Sequence, residues 1–453
     1  GAATGGAEEK WINIPLSFDF TPIYVKFEAL KNYEQWRNFI FKPELFPVVV
    51  GIAFLLASDV SLSLGLAPLA IMGVTVWFMT SRGEMVRVTD YMEGGRVVWQ
   101  RFGSYVALAG VVLYVGRNYY WTVLKRTFGL ARRSDIEPYI TRASRMFFIA
   151  VALLIFLLWR IGLGLPLAAM VVGLILLTHL GMARINCESG LFLNLPRWQP
   201  VGVMLGLMGA VAMGPQAILI VSLLSIVFTV GAWECLMPFF MNGLRTCTNL
   251  KVKPGRVGVS AIGVYVIGLA VAIPVTLYVC YNYGSDGGGY WTTAQDELPS
   301  YMYHPADKAI TEMKNSVTLS TSESYTSLQR MDPRNWIPQE GFLPWVGAGI
   351  VLVLIVSFCR LRFPWWPLHP IMFMVWGTRQ MATLSFSFLV GWGIKTAVTS
   401  YGGSKAYQKT KYLMYGAIAG DLLGGMAFMV VSIIHHIVTG DEPMRMFILP
   451  SVV

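Results

Sequence analysis

The sequence predicts an all-α protein: a polytopic transmembrane helix bundle of about ten spans, some broken or re-entrant, with a small extramembrane lobe. Three observations carry this. Residues of the AVILMFWYC set make up 55% of the 453 positions and charged residues only 13%, about half the usual share of a soluble chain. Mean hydropathy is +0.56. Apolar windows near the roughly 20 residues that a helix needs to cross hydrocarbon recur along the chain. So few charges could not cover a soluble fold of this size. The +10 balance of 35 Lys plus Arg over 25 Asp plus Glu does not indicate nucleic acid, because the bases sit between apolar runs and not on one polar face.

Residues 1–42 read as an amino-terminal extramembrane or interfacial segment. Their opening, GAATGGAEEKWINIPL, has neither the basic and apolar regions of a signal peptide nor an opening span, so the chain reads as the later part of something longer. The first part of the bundle covers 43–283. Leu45 to Leu56 is a short apolar run, interrupted at Ser58-Asp59 and resuming from Val60 to Thr80. Val97 to Leu124 is the next span. Met146 to Leu163 and Leu165 to Met182 form a tight hairpin around Gly162 and Gly164. Val201 to Leu236 divides into two short helices at Gly214-Pro215, and Val257 to Tyr281 contains Pro274. A polar lobe follows at 284–341, with one short helix expected from Pro305 to Ser316 that puts Ala309, Ile310 and Met313 on one side. The second part of the bundle, 342–438, holds Phe342 to Phe358, Ile371 to Ser400 and Tyr412 to Val438, and 439–453 is a tail.

Loop charge predicts orientation. Between Arg117 and Arg145 seven bases face Asp135 and Glu137, and 241–256 has four bases and no acid, whereas 284–341 carries eight acids against four bases, a net of −4. Loops 117–145 and 241–256 are therefore expected in the cytoplasm of a bacterial-type inner membrane, with 284–341 on the opposite side. The five cysteines show no metal or disulfide spacing. No metal site, no cofactor and no nucleic-acid partner is expected. HExxH, GxSxG and phosphate-loop motifs are lacking, so enzymatic chemistry has no visible carrier.

Polar residues within apolar runs are the candidate site, since an ionisable group at bilayer depth is a functional hypothesis by default. Asp59 with Ser61 and Ser63 breaks a helix, and broken helix ends bind ions and polar solutes; the alternative is an ordinary N-cap at an interfacial turn. Arg184 and Glu188, four apart on one helical face, line a path or form a juxtamembrane ion pair. In RFPWWPLHP (362–370) the three prolines forbid a regular helix and bias His369 to an extended backbone, which allows Ile371 to Trp376 to be a re-entrant half-helix ahead of Gln380. His369 either meets a solute or relays a proton, or serves as a structural hydrogen-bonder. Lys395 is close enough to a helix end to snorkel. Asp421 lies in a glycine-rich span suited to close packing.

FPWWPLHPIMF (363–373), FLVGWGIKTAVTSYGG (388–403) and the final span ending near GDEPMRMF resemble the carboxy-terminal region of a large family of polytopic membrane proteins of unknown function. By looser analogy that family is similar to oligopeptide and metal-chelate (OPT-type) transporters. KPELFPVVVGIAFLLASDVSLS (42–63) looks like its run ending in a D-x-x-x-S turn. ARINCESGL (183–191) resembles its R-x-R-x-E-x-G motif, with Arg184, Glu188 and Gly190 matching and Asn186 in place of the second Arg. The resemblance implies further spans before Trp11 in longer members. Together with the polar residues in the apolar runs, it leads to the expectation of a secondary-transporter-like protein, or a derivative of one, for a small polar, peptide-like solute, with Asp59, Ser61, Ser63, Arg184, Glu188, His369, Gln380 and Asp421 as the path candidates. The alternative is a non-catalytic scaffold subunit of a larger membrane complex. The expected partners are the lipid bilayer and other membrane subunits or further copies of the chain.

Overall fold

The computed structural model describes residues 16–27, 30, 33, 36–83, 86, 94–130, 136–190, 195–230, 236–283 and 290–440. Several expectations lie outside these: two of the seven bases counted between Arg117 and Arg145 (Arg132 and Arg133), the opening of the lobe at 284–289, and the tail from 441 onward. The described helices are α1 (Thr21–Lys26), α2 (Arg37–Phe41), α3 (Pro47–Leu55), α4 (Ser58–Arg82), α5 (Arg96–Val115) and α6 (Arg117–Thr127). Next come α7 (Pro138–Arg160), α8 (Leu165–Ser189), α9 (Pro200–Met213), α10 (Pro215–Ser225), α11 (Leu236–Asn249) and α12 (Pro254–Tyr283). The last are α13 (Tyr290–Asn315), α14 (Leu319–Ser324), α15 (Phe342–Arg362), α16 (Met372–Val375) and α17 (Arg379–Thr439). Among the described residues seven helices, α4, α5, α7, α8, α12, α15 and α17, are long and apolar enough to cross a membrane. The protein is an all-α, membrane-embedded bundle.

The chain divides into two compact units, Gly1–Met85 with Arg379–Val453, and Val86–Thr378. In the first, Gly403 adopts a left-handed φ of 62° within α17, a conformation costly for any residue with a Cβ. It divides α17 into two arms, which correspond to the two separate spans expected there. Both arms pack on α3. Gly391 of the first arm approaches so closely that a Cβ there would lie 2.7 Å from the Val50 carbonyl oxygen, and one on Gly51 would lie 3.0 Å from the Met414 carbonyl oxygen of the second arm. Phe54 of α3 stacks on Tyr407, ring centroids 5.2 Å apart. Helix α3 begins at Pro47, where a missing N–H costs nothing. Its nine residues reach only about 14 Å, too short to cross alone.

In the second unit, α5 and α15 cross almost backbone to backbone: a Cβ on Gly103 would lie 2.1 Å from the Val346 carbonyl oxygen, and one on Gly349 would lie 2.0 Å from that of Gln100. Small residues permit this approach, the main source of helix attraction where lipid is as apolar as leucine. Trp198, fully buried, packs edge-on against Phe102 and Tyr105. Helices α7 and α8 form the expected hairpin, turning at Gly162 with φ 108°. The expected span from Val97 to Leu124 is instead two helices, α5 and α6, separated at Gly116.

The interrupted pair α9 and α10 appears as expected, with Gly209 (φ 77°) and Gly214 (φ 81°) in left-handed conformations. The polar lobe is packed on this pair. The amides of Ile337 and Gln339 donate to the carbonyls of Met208 (3.1 Å) and Gly206 (2.9 Å). The Ser322 hydroxyl donates to Val211 O at 2.8 Å and the Arg330 guanidinium to Ala212 O at 3.2 Å. Carbonyls freed by a broken helix need donors at depth, which explains why this segment docks there. Burial lowers the Arg330 pKa below its ordinary value. The short helix expected from Pro305 to Ser316 is part of the longer α13, in which Ala306, Ala309 and Met313 are buried.

Candidate functional site

The last turn of α8 carries Arg184 and Glu188. Their side chains form an ion pair four residues apart, Arg184 half-exposed and Glu188 largely covered. The second carboxylate oxygen of Glu188 lies 3.4 Å from Nε2 of His369, a residue only 2% exposed. The His369 Nδ1 accepts the Ile371 amide at 3.2 Å. An imidazole nitrogen that accepts carries no proton, so in the neutral ring the proton is on Nε2, directed at Glu188. The three side chains therefore form a line from the surface into the buried interior.

Immediately after His369, residues 371–378 are all buried. They contain α16, a four-residue stub whose carbonyls cannot be satisfied by water. Two α5 side chains supply the donors. Arg101, fully buried, donates from Nε to Trp376 O (3.0 Å), from Nη2 to Gly377 O (3.0 Å) and from Nη1 to Arg197 O (2.8 Å). Gln100 accepts from the Trp376 indole, donates to Phe373 O at 3.4 Å and bonds Ser104 at 2.8 Å. The close α5–α15 crossing at Gly103 and Gly349 fixes these side chains on the stub. Within the stretch from Ile371 to Trp376, expected as a half-helix, the helical part is the four residues Met372–Val375. Trp365, ahead of it, is exposed, as an interfacial anchor would be.

The remaining sequence candidates lie in the first unit. Asp59 sits in the first turn of α4 without capping it; Ala57 occupies the N-cap, so the N-cap alternative does not hold. The Ser61 hydroxyl donates to Ala53 O at 2.7 Å, bridging the break, and that of Ser63 donates to Asp59 O at 2.6 Å one turn back within α4. Asp421 accepts the Val48 amide at 2.9 Å and Ser387 the Phe46 amide at 2.9 Å, both at the start of α3. Lys395 donates to Leu56 O just past the end of α3 and feels the charge of Asp59. It holds the end of α3. Gln380 is buried in the first turn of α17. Arg184, Glu188 and His369 are thus brought together in one unit, and Asp59, Ser61, Ser63 and Asp421 join Lys395 around α3 in the other.

Sequence reasoning missed Arg101, Gln100 and Ser387. A guanidinium six residues into a span reads as interfacial, and no local spacing separates that case from a buried one. Among the described residues no group of three or more His, Cys, Asp or Glu side chains is arranged to hold a metal ion.

No curated protein and no solved structure matches the chain. A family profile does, over residues 17–443. The chain belongs to the Family of unknown function (DUF6785).

Proposed function

We propose that the protein is a proton-coupled permease for a small polar, peptide-like solute, with Arg184, Glu188 and His369 as its coupling relay. One arrangement supports this: an exposed arginine, a partly covered carboxylate and a buried imidazole follow one another inward and end at a re-entrant stub. A proton reaching neutral His369 goes to Nδ1, the nitrogen that now accepts the Ile371 amide. The imidazolium has two N–H donors, so that hydrogen bond is lost and the start of the stub is pushed away, while the Glu188 carboxylate stabilises the new charge on the ring. Proton uptake and stub position are thereby linked, as ion-coupled alternating access requires. Kinship with OPT-type transporters is part of this proposal and rests on motif likeness alone, as do the bacterial inner-membrane location and the cytoplasmic placement of loops 117–145 and 241–256. No bond is made or broken, so the protein is not an enzyme in this reading.

The test is uptake of radiolabelled dialanine by proteoliposomes under an inward proton gradient, with a trapped pH-sensitive dye reporting proton entry. Glu188→Gln and His369→Ala are each expected to lower gradient-driven uptake at least tenfold. Uptake equal to wild type in both variants would overturn the relay.

A scaffold role in a larger membrane complex is the second reading. The apolar windows of α7 and α12 have no buried residue within the chain, leaving whole faces for lipid or neighbouring subunits. A multi-chain particle in mild detergent would favour it; a homogeneous small oligomer would remove it.

A further inference from the structure

Helix α6 begins where the α5 span ends at Gly116, and it packs on the first turns of α7. Between them is an open groove of about 440 Å³. Arg117, Tyr120, Trp121 and Leu124 line it from α6, at the i, i+3, i+4, i+7 spacing of one helical face. Ser144 and Phe148 are among its lining from α7. The basic side chains around it are held in place: the Arg117 guanidinium sits 4.2 Å from the Tyr114 ring centroid and the Lys125 ammonium 5.3 Å from that of Trp121. The Arg145 Nε donates to Thr127 O at 3.1 Å, and the Thr127 hydroxyl donates to Ser144 at 2.9 Å. None of Arg117, Lys125, Arg142 and Arg145 has an ion pair among the described residues. The apolar run of α7 starts at Met146, so this charge stands at the level where hydrocarbon gives way to headgroups.

We infer that the groove is a binding site for one anionic diacyl phospholipid, its phosphate among Arg117, Lys125 and Arg145 and its chains along Trp121, Phe147 and Phe148. Tyr and Trp suit the headgroup boundary, and basic pockets beside membrane helices bind acidic headgroups. A zwitterionic lipid would meet the same apolar wall but present an ammonium to the bases. The water-soluble alternative, free phosphate, would have no use for the apolar lining.

The test is native mass spectrometry of the full chain in detergent after incubation with equal phosphatidylglycerol and phosphatidylcholine, repeated with glycerol 3-phosphate. Wild type is expected to retain phosphatidylglycerol over phosphatidylcholine at least fivefold and to bind glycerol 3-phosphate negligibly. Arg117→Gln with Lys125→Gln, both at exposed positions, is expected to abolish that preference; an unchanged melting temperature without lipid would show that the fold is intact. Ser144→Phe, which fills the groove and leaves the charges, is expected to lower total lipid retention. Equal retention of the two lipids by wild type, preference undiminished in the charge variant, or glycerol 3-phosphate bound as tightly as lipid would each overturn the inference.

Discussion

Two short helices, one in each unit, solve the same problem in different ways. Both α3 and α16 end within the protein and leave backbone groups that the helix itself does not satisfy. Helix α3 has Asp421 at its amide end and Lys395 at its carbonyl end, the charge order its dipole favours. Both charges are used up in holding the helix. At α16 the carbonyl end is held by Arg101 and Gln100, while the other end is preceded by His369, which connects through Glu188 to half-exposed Arg184. The difference teaches that an ionisable residue at depth is not by itself a site. Where its hydrogen bonds close on one helix it is structural; where they run outward they offer a route.

The largest expected effect is at Arg101. Arg101→Met leaves two buried carbonyls and one partly buried one without this donor, each buried one costing about 1–3 kcal/mol when unmet, so a loss of about 3–5 kcal/mol is expected by thermal unfolding in detergent. Lys395→Met releases one carbonyl, and about 1 kcal/mol is expected. Equal losses would break the comparison. Next is Gly349→Ala, whose methyl would collide with backbone and not with a movable side chain; overpacking of about 2–3 kcal/mol is expected by thermal unfolding.

Asp421→Ala should cost about 1–2 kcal/mol, the range of a lost cap, and Asp421→Asn should recover about half, because the amide oxygen still accepts while the charge at the helix start is gone. Full recovery by asparagine would show that hydrogen bonding alone holds α3. The smallest effect is at Lys42, whose 3.9 Å pair with Asp19 is well exposed; Lys42→Gln should leave the melting temperature unchanged, as exposed pairs are screened by solvent. Thr21 holds the Asp19 carboxyl below its usual pKa, its amide donating to Oδ1 at 2.8 Å, with Lys42 a lesser cause. A lowered carboxylate pKa contributes stability above the unfolded value of about 3.9, lost only as pH falls through the folded one. The melting temperature of this variant should therefore track wild type between pH 8 and pH 5.

Span identity and chain breaks were legible in the sequence, because the bilayer imposes a minimum apolar length and because Ser58-Asp59, Gly214-Pro215 and Pro370 act locally on the backbone. The break at Gly116 was not, since VLYVGRNYYWTVL keeps its apolar character across a glycine that a helix tolerates. The segment 319–341 read as a separate lobe because its composition is polar, and nothing local records that its amides and Arg330 serve the carbonyls of α9.

Composition, apolar length and breaker residues determined by themselves that this is a helical membrane protein with interrupted helices, and several of the residues at the interruptions. Tertiary structure alone decided their partners. It set Asp421 against an amide 373 positions away, buried Arg101 at the end of the stub, and faced Glu188 toward His369. The physical reason is range: hydrophobic spacing and backbone sterics act within a few residues, whereas a hydrogen bond is set by proximity in space, which a linear pattern does not encode.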